Sequence, residues 1–176
     1  MPDSSEEKSW NVVVVPYNEE WVELYRKEAS LLAELFGDLL SEIHHFGSTA
    51  IPGIYAKPVI DILPVVKDII RVDSYNDRMK ALGYVPMGEY GISGRRFFFK
   101  GGRNRTHQVH IFQTGNSEIQ RHLSFRDYLR SHPEDAQRYS VLKQDLAKKF
   151  PTDIESYCNG KSEFVKSIDQ KAALES

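Results

Sequence analysis

Pro58-Val59-Ile60-Asp61-Ile62-Leu63-Pro64-Val65-Val66 is the longest apolar stretch of this 176-residue chain, and a single carboxylate interrupts it. The run is rich in β-branched residues and too short for a buried helix. It predicts a strand over 59–66, covered on both faces. Burying an ionised carboxylate without partners is expensive, and strands are poor in Asp. Asp61 therefore has two readings. It is either a strand-end residue salt-bridged to a structural arginine, or a catalytic or metal-holding carboxylate at the carboxyl end of a strand.

A dozen or so residues upstream lies Gly47-Ser48-Thr49-Ala50. A Gly-Ser turn can aim backbone N–H groups and a hydroxyl at an anion. Alone it is an ordinary turn. Followed by Asp61 on an apolar strand, it has the layout of nucleotidyltransferase-fold active sites. There the turn holds a triphosphate and strand acids hold magnesium.

The flanking sequence supplies the other elements. A leader over 1–11 is polar and reads as flexible. Val12 to Val15 are all β-branched and predict a strand. Asn18 can cap a helix over 18–36 whose apolar residues recur at helical spacing. A short strand over 43–46, a helix over 73–82 and a short strand over 84–86 follow. Strands over 96–100 and 108–112 form a hairpin about a glycine-rich turn. Ser117 can cap a helix to residue 129, Pro133 can start another to residue 150, and a last helix over 153–174 is expected to break near Asn159-Gly160. The pattern is α+β. A nucleotidyltransferase-like mixed sheet flanked by helices spans 12–115, and a C-terminal helical subdomain over 116–176 packs on it.

Longer blocks of sequence carry a specific resemblance. His45-Phe46-Gly47-Ser48-Thr49-Ala50-Ile51-Pro52-Gly53-Ile54-Tyr55-Ala56-Lys57-Pro58-Val59-Ile60-Asp61-Ile62 closely resembles the signature of the GrpB family. The resemblance continues at His107-Gln108-Val109-His110-Ile111-Phe112. It resumes at Leu123-Ser124-Phe125-Arg126-Asp127-Tyr128-Leu129-Arg130-Ser131-His132-Pro133 and at Tyr139 and Leu142-Lys143. It implies the nucleotidyltransferase fold. It also implies kinship with proteins in which this domain is fused to dephospho-coenzyme A kinase. The wider superfamily carries two acids on one strand, in the pattern D-x-D or D-x-E, and a third on a neighbouring strand. Here Leu63 stands at the second place, and His110 or His107 replaces the third acid. Two-metal chemistry needs carboxylates bridging ions about 4 Å apart, and this set suits it poorly.

Several residues are candidates around Asp61. His110 could share its catalytic work. His45 and His107 could join Asp61 in a metal site, or all three histidines could be structural. Asp61 could also hold one Mg2+. Gly47, Ser48, Thr49 and Lys57 are candidate phosphate contacts. Arg96 and Lys100, four apart on a strand and so on one face, could receive an anion. Arg126 and Arg130 share a helix face and could close over the site, or Arg126 could pair with Asp61. His122 reads as a helix-surface residue.

Composition narrows the field. Lys plus Arg is 23 and Asp plus Glu is 25, a formal net charge of −2. That excludes a generally basic nucleic-acid coat and, with 40% hydrophobic residues, a disordered chain. One cysteine, Cys158, allows no intrachain disulfide. No apolar run reaches the roughly 18 residues of a membrane span, and no secretory signal is present. A cytoplasmic protein without a membrane partner is expected. The leading functional expectation is a transferase acting on a nucleotide or other phosphorylated small molecule. The alternative is a non-catalytic nucleotide- or coenzyme A-binding module, which Leu63 supports. RNA binding through the Arg95–Arg105 hairpin is the third reading. It is disfavoured because a long basic surface is missing.

Overall fold

The computed structural model describes residues 11–175, so the leader expected over 1–11 lies outside the described residues except for Asn11. Helix α1 (Glu20–Phe36) precedes strands β1 (Leu40–Phe46) and β2 (Ile60–Val66). Helix α2 (Asn76–Ala81), strands β3 (Val85–Pro86), β4 (Arg95–Lys100) and β5 (His107–Gln113), and helices α3 (Ser117–Ser131), α4 (Pro133–Lys149) and α5 (Ile154–Glu175) complete the chain. The five strands form one mixed sheet in the order β1-β2-β5-β4-β3. The central pair, β2 and β5, is parallel, and the other pairs are antiparallel. The α+β architecture read from the sequence is thereby borne out.

The central position of β2 explains its apolar run. Each of its residues is buried except Asp61. Side chains alternate across the sheet, which separates two faces. Ile60, Ile62 and Val66 pack with Phe98, Val109, Ile111 and the α1 residues Trp21, Leu32 and Phe36. Leu63 and Val65 pack on the other face with Phe46, Phe112 and Ile119 of α3. Burial of each such large side chain is worth about 1.5–3 kcal/mol. The C-terminal helices bring a second core, in which Tyr128, Leu129, Ala136, Tyr139 and Ile168 enclose Ile51 and Ile54. The segment between β1 and β2 is thus anchored to the helices as well as to the sheet.

Four local expectations are corrected. Residues 12–15 form no strand: they make one bridge, Val15 to Ala56, and Val13 is 53% exposed. The β-branched run has no longer partner to pair with. The helix expected over 73–82 is a 3-10 segment (Ile70–Tyr75) followed by the short α2. Helix α5 runs unbroken through Gly160. A Cβ at Gly160 would lie 2.4 Å from Leu146 Cδ2, so this glycine admits close packing of α5 on α4 instead of ending the helix. The cap of α3 is Asn116, whose side chain accepts from the Glu118 N–H at 2.9 Å.

On the α1 face, Glu28 is 5% exposed. Its Oε1 accepts from Lys100 Nζ at 2.5 Å and from the Tyr84 hydroxyl at 2.7 Å. Burial pushes the Glu28 carboxyl up, but these two hydrogen bonds outweigh it and hold the group below its ordinary value. Removing one partner of a buried pair strands the other charge, at a cost of about 3–5 kcal/mol. Lys100→Met should therefore lose about that much in denaturant unfolding, and the double variant Glu28→Gln/Lys100→Met should recover part of it.

Candidate functional site

Asp61 is paired in register with Phe46 on β1 and with Gln108 on β5. His110, two residues beyond Gln108, projects to the same face. Its Nε2 lies 3.2 Å from Asp61 Oδ1, and its Nδ1 lies 3.3 Å from a guanidinium nitrogen of Arg95. A guanidinium only donates. His110 Nδ1 must therefore accept, which places the ring proton on Nε2, facing Asp61. Arg95 is itself fixed: it is buried, donates to the carbonyls of Glu89 and Tyr90, and lies over the Phe97 ring at 4.9 Å. With its amide nitrogen toward Asp61, Gln108 donates to the same Oδ1 at 3.1 Å and accepts from Arg105 at 3.3 Å. One carboxylate oxygen thus receives two N–H groups. Asp61 is held by hydrogen bonds instead of a salt bridge to arginine.

The second oxygen faces the turn after β1. Gly47 has φ +73°, and a Cβ there would lie 2.6 Å from Asp61 Oδ2. Only glycine meets both the left-handed backbone and the close approach. The turn beyond it is tied down. Thr49 is 1% exposed and donates to the Val59 carbonyl at 3.1 Å, while His45 Nε2 donates to Thr49 at 2.9 Å. Arg126 donates to the His45 carbonyl and Arg130 to the Ala50 carbonyl, at 3.0 and 2.9 Å. These arginines clamp α3 to the turn. Arg126 also bonds Asp127 and does not pair with Asp61.

The structure divides the residues expected at the site. Asp61, His110 and Gly47 come together, Ser48 follows in the same turn, and Thr49 ties that turn to Val59. Lys57 lies in the segment before β2, over the Tyr157 ring: burial, with Lys161 and Arg105 adding to it, lowers its ammonium to about 8 against the pull of Cys158 and Asp61. Four expected residues lie elsewhere. Arg96 and Lys100 pair with Ile111 and His107 in the β4–β5 ladder and share the α1 face. Arg96 is bound to Asp73 at 2.7 and 3.3 Å, and Lys100 to Glu28. They do share one face, but the pleat turns that face away from Asp61. His107 lies on it too. His45 stands opposite Ile62 and stacks on Tyr25 at 4.7 Å. His45 and His107 therefore do not assemble with Asp61 into a metal site. Among the described residues, no group of three or more His, Cys, Asp or Glu side chains could hold a metal ion.

Other residues enter the site without having been expected. Arg95 is one. His122 of α3 is not a surface residue: its ring packs against Phe46 at 4.8 Å and faces His110 at 6.4 Å. Lys143 and Tyr157 lie buried beneath the helical side. A lysine four residues after Tyr139 on an otherwise apolar stripe was a readable signal. The burial of His122 was not readable, since α3 carries polar residues around much of its circumference.

This sheet, with a carboxylate on a central strand facing a Gly-Ser turn and helices over that face, defines a nucleotidyltransferase-like fold. Its likeness to the structure of Cid1 in complex with its short product ApU is one of fold alone (TM-score 0.51, 16% identity, 76% of this chain and 42% of that one). Within that class the chain belongs to the GrpB family, whose profile, described as GrpB protein, matches residues 11–171. The crystal structure of conserved protein GrpB from Enterococcus faecalis is similar throughout, with a TM-score of 0.90 and 41% identity over 93% of this chain and 98% of that one. UPF0157 protein YqkA of Bacillus subtilis (strain 168) is 48% identical over 161 residues, which are 92% of this chain and 47% of YqkA. The chain thus spans about half the length of that relative. Among the described residues, no helix is long and apolar enough to cross a membrane.

Two predictions follow from this geometry. Gly47→Ala forces a strained φ and a clash with Asp61, so thermal unfolding should show a loss of about 1–3 kcal/mol. His45 and His122 are both lowered to about 4, chiefly by burial. Both histidines are neutral in the folded protein where the unfolded chain, near 6.5, already binds protons. Their contribution is intact above about 6.5 and is lost as pH falls from there toward 4, on the order of 3 kcal/mol each. Chemical unfolding across pH 7 to 4 should show this decline, and His122→Gln should flatten it.

Proposed function

We propose that the Asp61 cleft binds a nucleotide or similar phosphorylated small molecule and transfers a group to or from it, with Asp61 and His110 handling the proton. The observation that carries this reading is the Arg95–His110–Asp61 chain, which ends on a carboxylate 22% exposed at a central strand and covered by a Gly-Ser turn. Its chemistry follows from the donors. Oδ1 is occupied by two N–H groups. Oδ2, toward Gly47, is the acceptor left for a substrate hydroxyl. Asp61 would take the proton of the attacking hydroxyl as general base, while the new P–O bond forms and the P–O bond to the departing phosphate or pyrophosphate breaks. His110, fixed by Arg95, would orient the carboxylate and stabilise its charge.

The donor set does not fit a resident pair of metals. Leu63 occupies the place of the second acid, and His110 presents an N–H, not a lone pair, to Asp61. The proposed step therefore runs through protein groups. Leu63 equally favours a second reading, a ligand-binding module without turnover. RNA binding is less well supported, because Phe97 and Phe99 are buried and Arg105 lies 4.1 Å over the Phe99 ring. Those rings are not free to stack on bases.

A thermal-shift series with ATP, GTP, CTP, UTP and coenzyme A, with a chelator present, tests the proposal. A bound ligand at about 100 times its dissociation constant should stabilise the fold by roughly 2.7 kcal/mol. With the ligand so found, Asp61→Asn should cut turnover at least about 100-fold while binding stays within a few-fold. Binding without any turnover selects the second reading. Stabilisation by none of these compounds contradicts both.

A further inference from the structure

Lys143 of α4 is 1% exposed, and its Nζ has no hydrogen-bond partner. It lies 4.5 Å from the centroid of the Tyr139 ring. Tyr157 of α5 is fully buried, and its hydroxyl also lacks a partner. Two further ammonium groups converge on that tyrosine: Lys161 Nζ at 4.5 Å and Lys57 Nζ at 5.1 Å from its ring centroid. The charges that reach Lys143 are those of Lys161, Lys57 and Asp61. Those that reach Lys57 add Cys158 and Arg105.

For the folded protein alone this cluster is unfavourable. A buried ammonium without a partner costs several kcal/mol, and three lysines near one another repel. Apolar residues of the same length would pack the space more stably. The arrangement makes sense if an anion completes it. Three ammonium groups and a phenol offer donors enough for the oxygens of a phosphoryl group and charge enough for a dianion. A carboxylate, with one charge and two oxygens, would leave the cluster undersupplied.

We infer that Lys57, Lys143, Lys161 and the Tyr157 hydroxyl form a phosphoryl-binding site that takes the polyphosphate end of the ligand. The inference rests on the reading of the Asp61 cleft as a ligand site. Lys57 lies four residues before Asp61, just ahead of β2, and so ties the cluster to the strand that carries that carboxylate. The helices α4 and α5 thereby supply the anion contacts, and the sheet supplies the reacting groups. Burial and the neighbouring lysines hold the Lys143 ammonium below its usual range, and Lys57 is lowered to about 8. An arriving anion favours the charged form of Lys57, so binding at pH 8 takes up protons.

Titration calorimetry of the whole chain with inorganic tripolyphosphate, metal-free at pH 8 in two buffers of different ionisation enthalpy, tests this. One ion should bind per chain with net proton uptake. Lys143→Met should weaken binding about tenfold or more. The unliganded variant should melt no lower than the parent, since an unpaired ammonium has been replaced by an apolar chain. A merely structural lysine would lower the melting point instead. If Lys143→Met does not fold, the more exposed Lys161→Met should show the same loss of affinity. No binding, or binding unchanged in these variants, overturns the site. Lysine-dependent tripolyphosphate binding with no nucleotide stabilisation keeps the site and removes the proposed function. Nucleotide stabilisation indifferent to both lysines does the reverse.

Discussion

A carboxylate in the middle of a sheet needs hydrogen-bond partners, and here two N–H groups on the neighbouring strand supply them. Asp61 Oδ1 accepts from His110 and Gln108. These residues project to the Asp61 face of β5, which runs parallel to β2. Arg95, across the antiparallel β4–β5 ladder, fixes the His110 ring from its far side. The geometry therefore depends on the register of three strands. A slip of one residue on β5 would turn His110 to the α1 face and leave Asp61 facing apolar neighbours. The same constraint explains Gly47: the turn after β1 must lie close over Oδ2, and a side chain there would collide with it.

The helical side serves two distinct purposes. Arg126 and Arg130 donate to backbone carbonyls of the turn and so set its position. The lysines are different. Lys143 is enclosed by tyrosines and α5 without an acceptor. Among the described residues, the buried side-chain atoms without a hydrogen-bond partner are Lys143 Nζ, the Tyr157 hydroxyl and Asp169 Oδ1, all on α4 and α5.

Much of the fold was legible in the sequence because its strongest signals were local. The apolar run around Asp61, the helical spacing of α1 and the proline at the start of α4 each specify an element. The GrpB resemblance then specified how the elements assemble. The site was half legible. Asp61, His110 and Gly47 lie in motif blocks and come together in the structure. Arg96 and Lys100 were misplaced because alternation states that two residues share a face but not which face. That choice is made by Phe98, which lies between them and packs into the α1 core. His122 and Tyr157 became visible only when the helices were docked, since each owes its character to burial by distant residues. Gly160 misled for a related reason: a helix breaker by propensity, it serves here as a contact point for Leu146.

The central claim is that Arg95 and His110 present one fixed N–H to Asp61. Long-range proton–nitrogen correlation spectra of the whole chain, labelled with 15N-histidine at neutral pH, report the tautomer of each ring directly. The account predicts His110 as the Nε2–H tautomer with an unprotonated Nδ1, and predicts that Arg95→Met relaxes this preference while the fold persists. A His110 ring protonated on Nδ1 in the unsubstituted protein would contradict it.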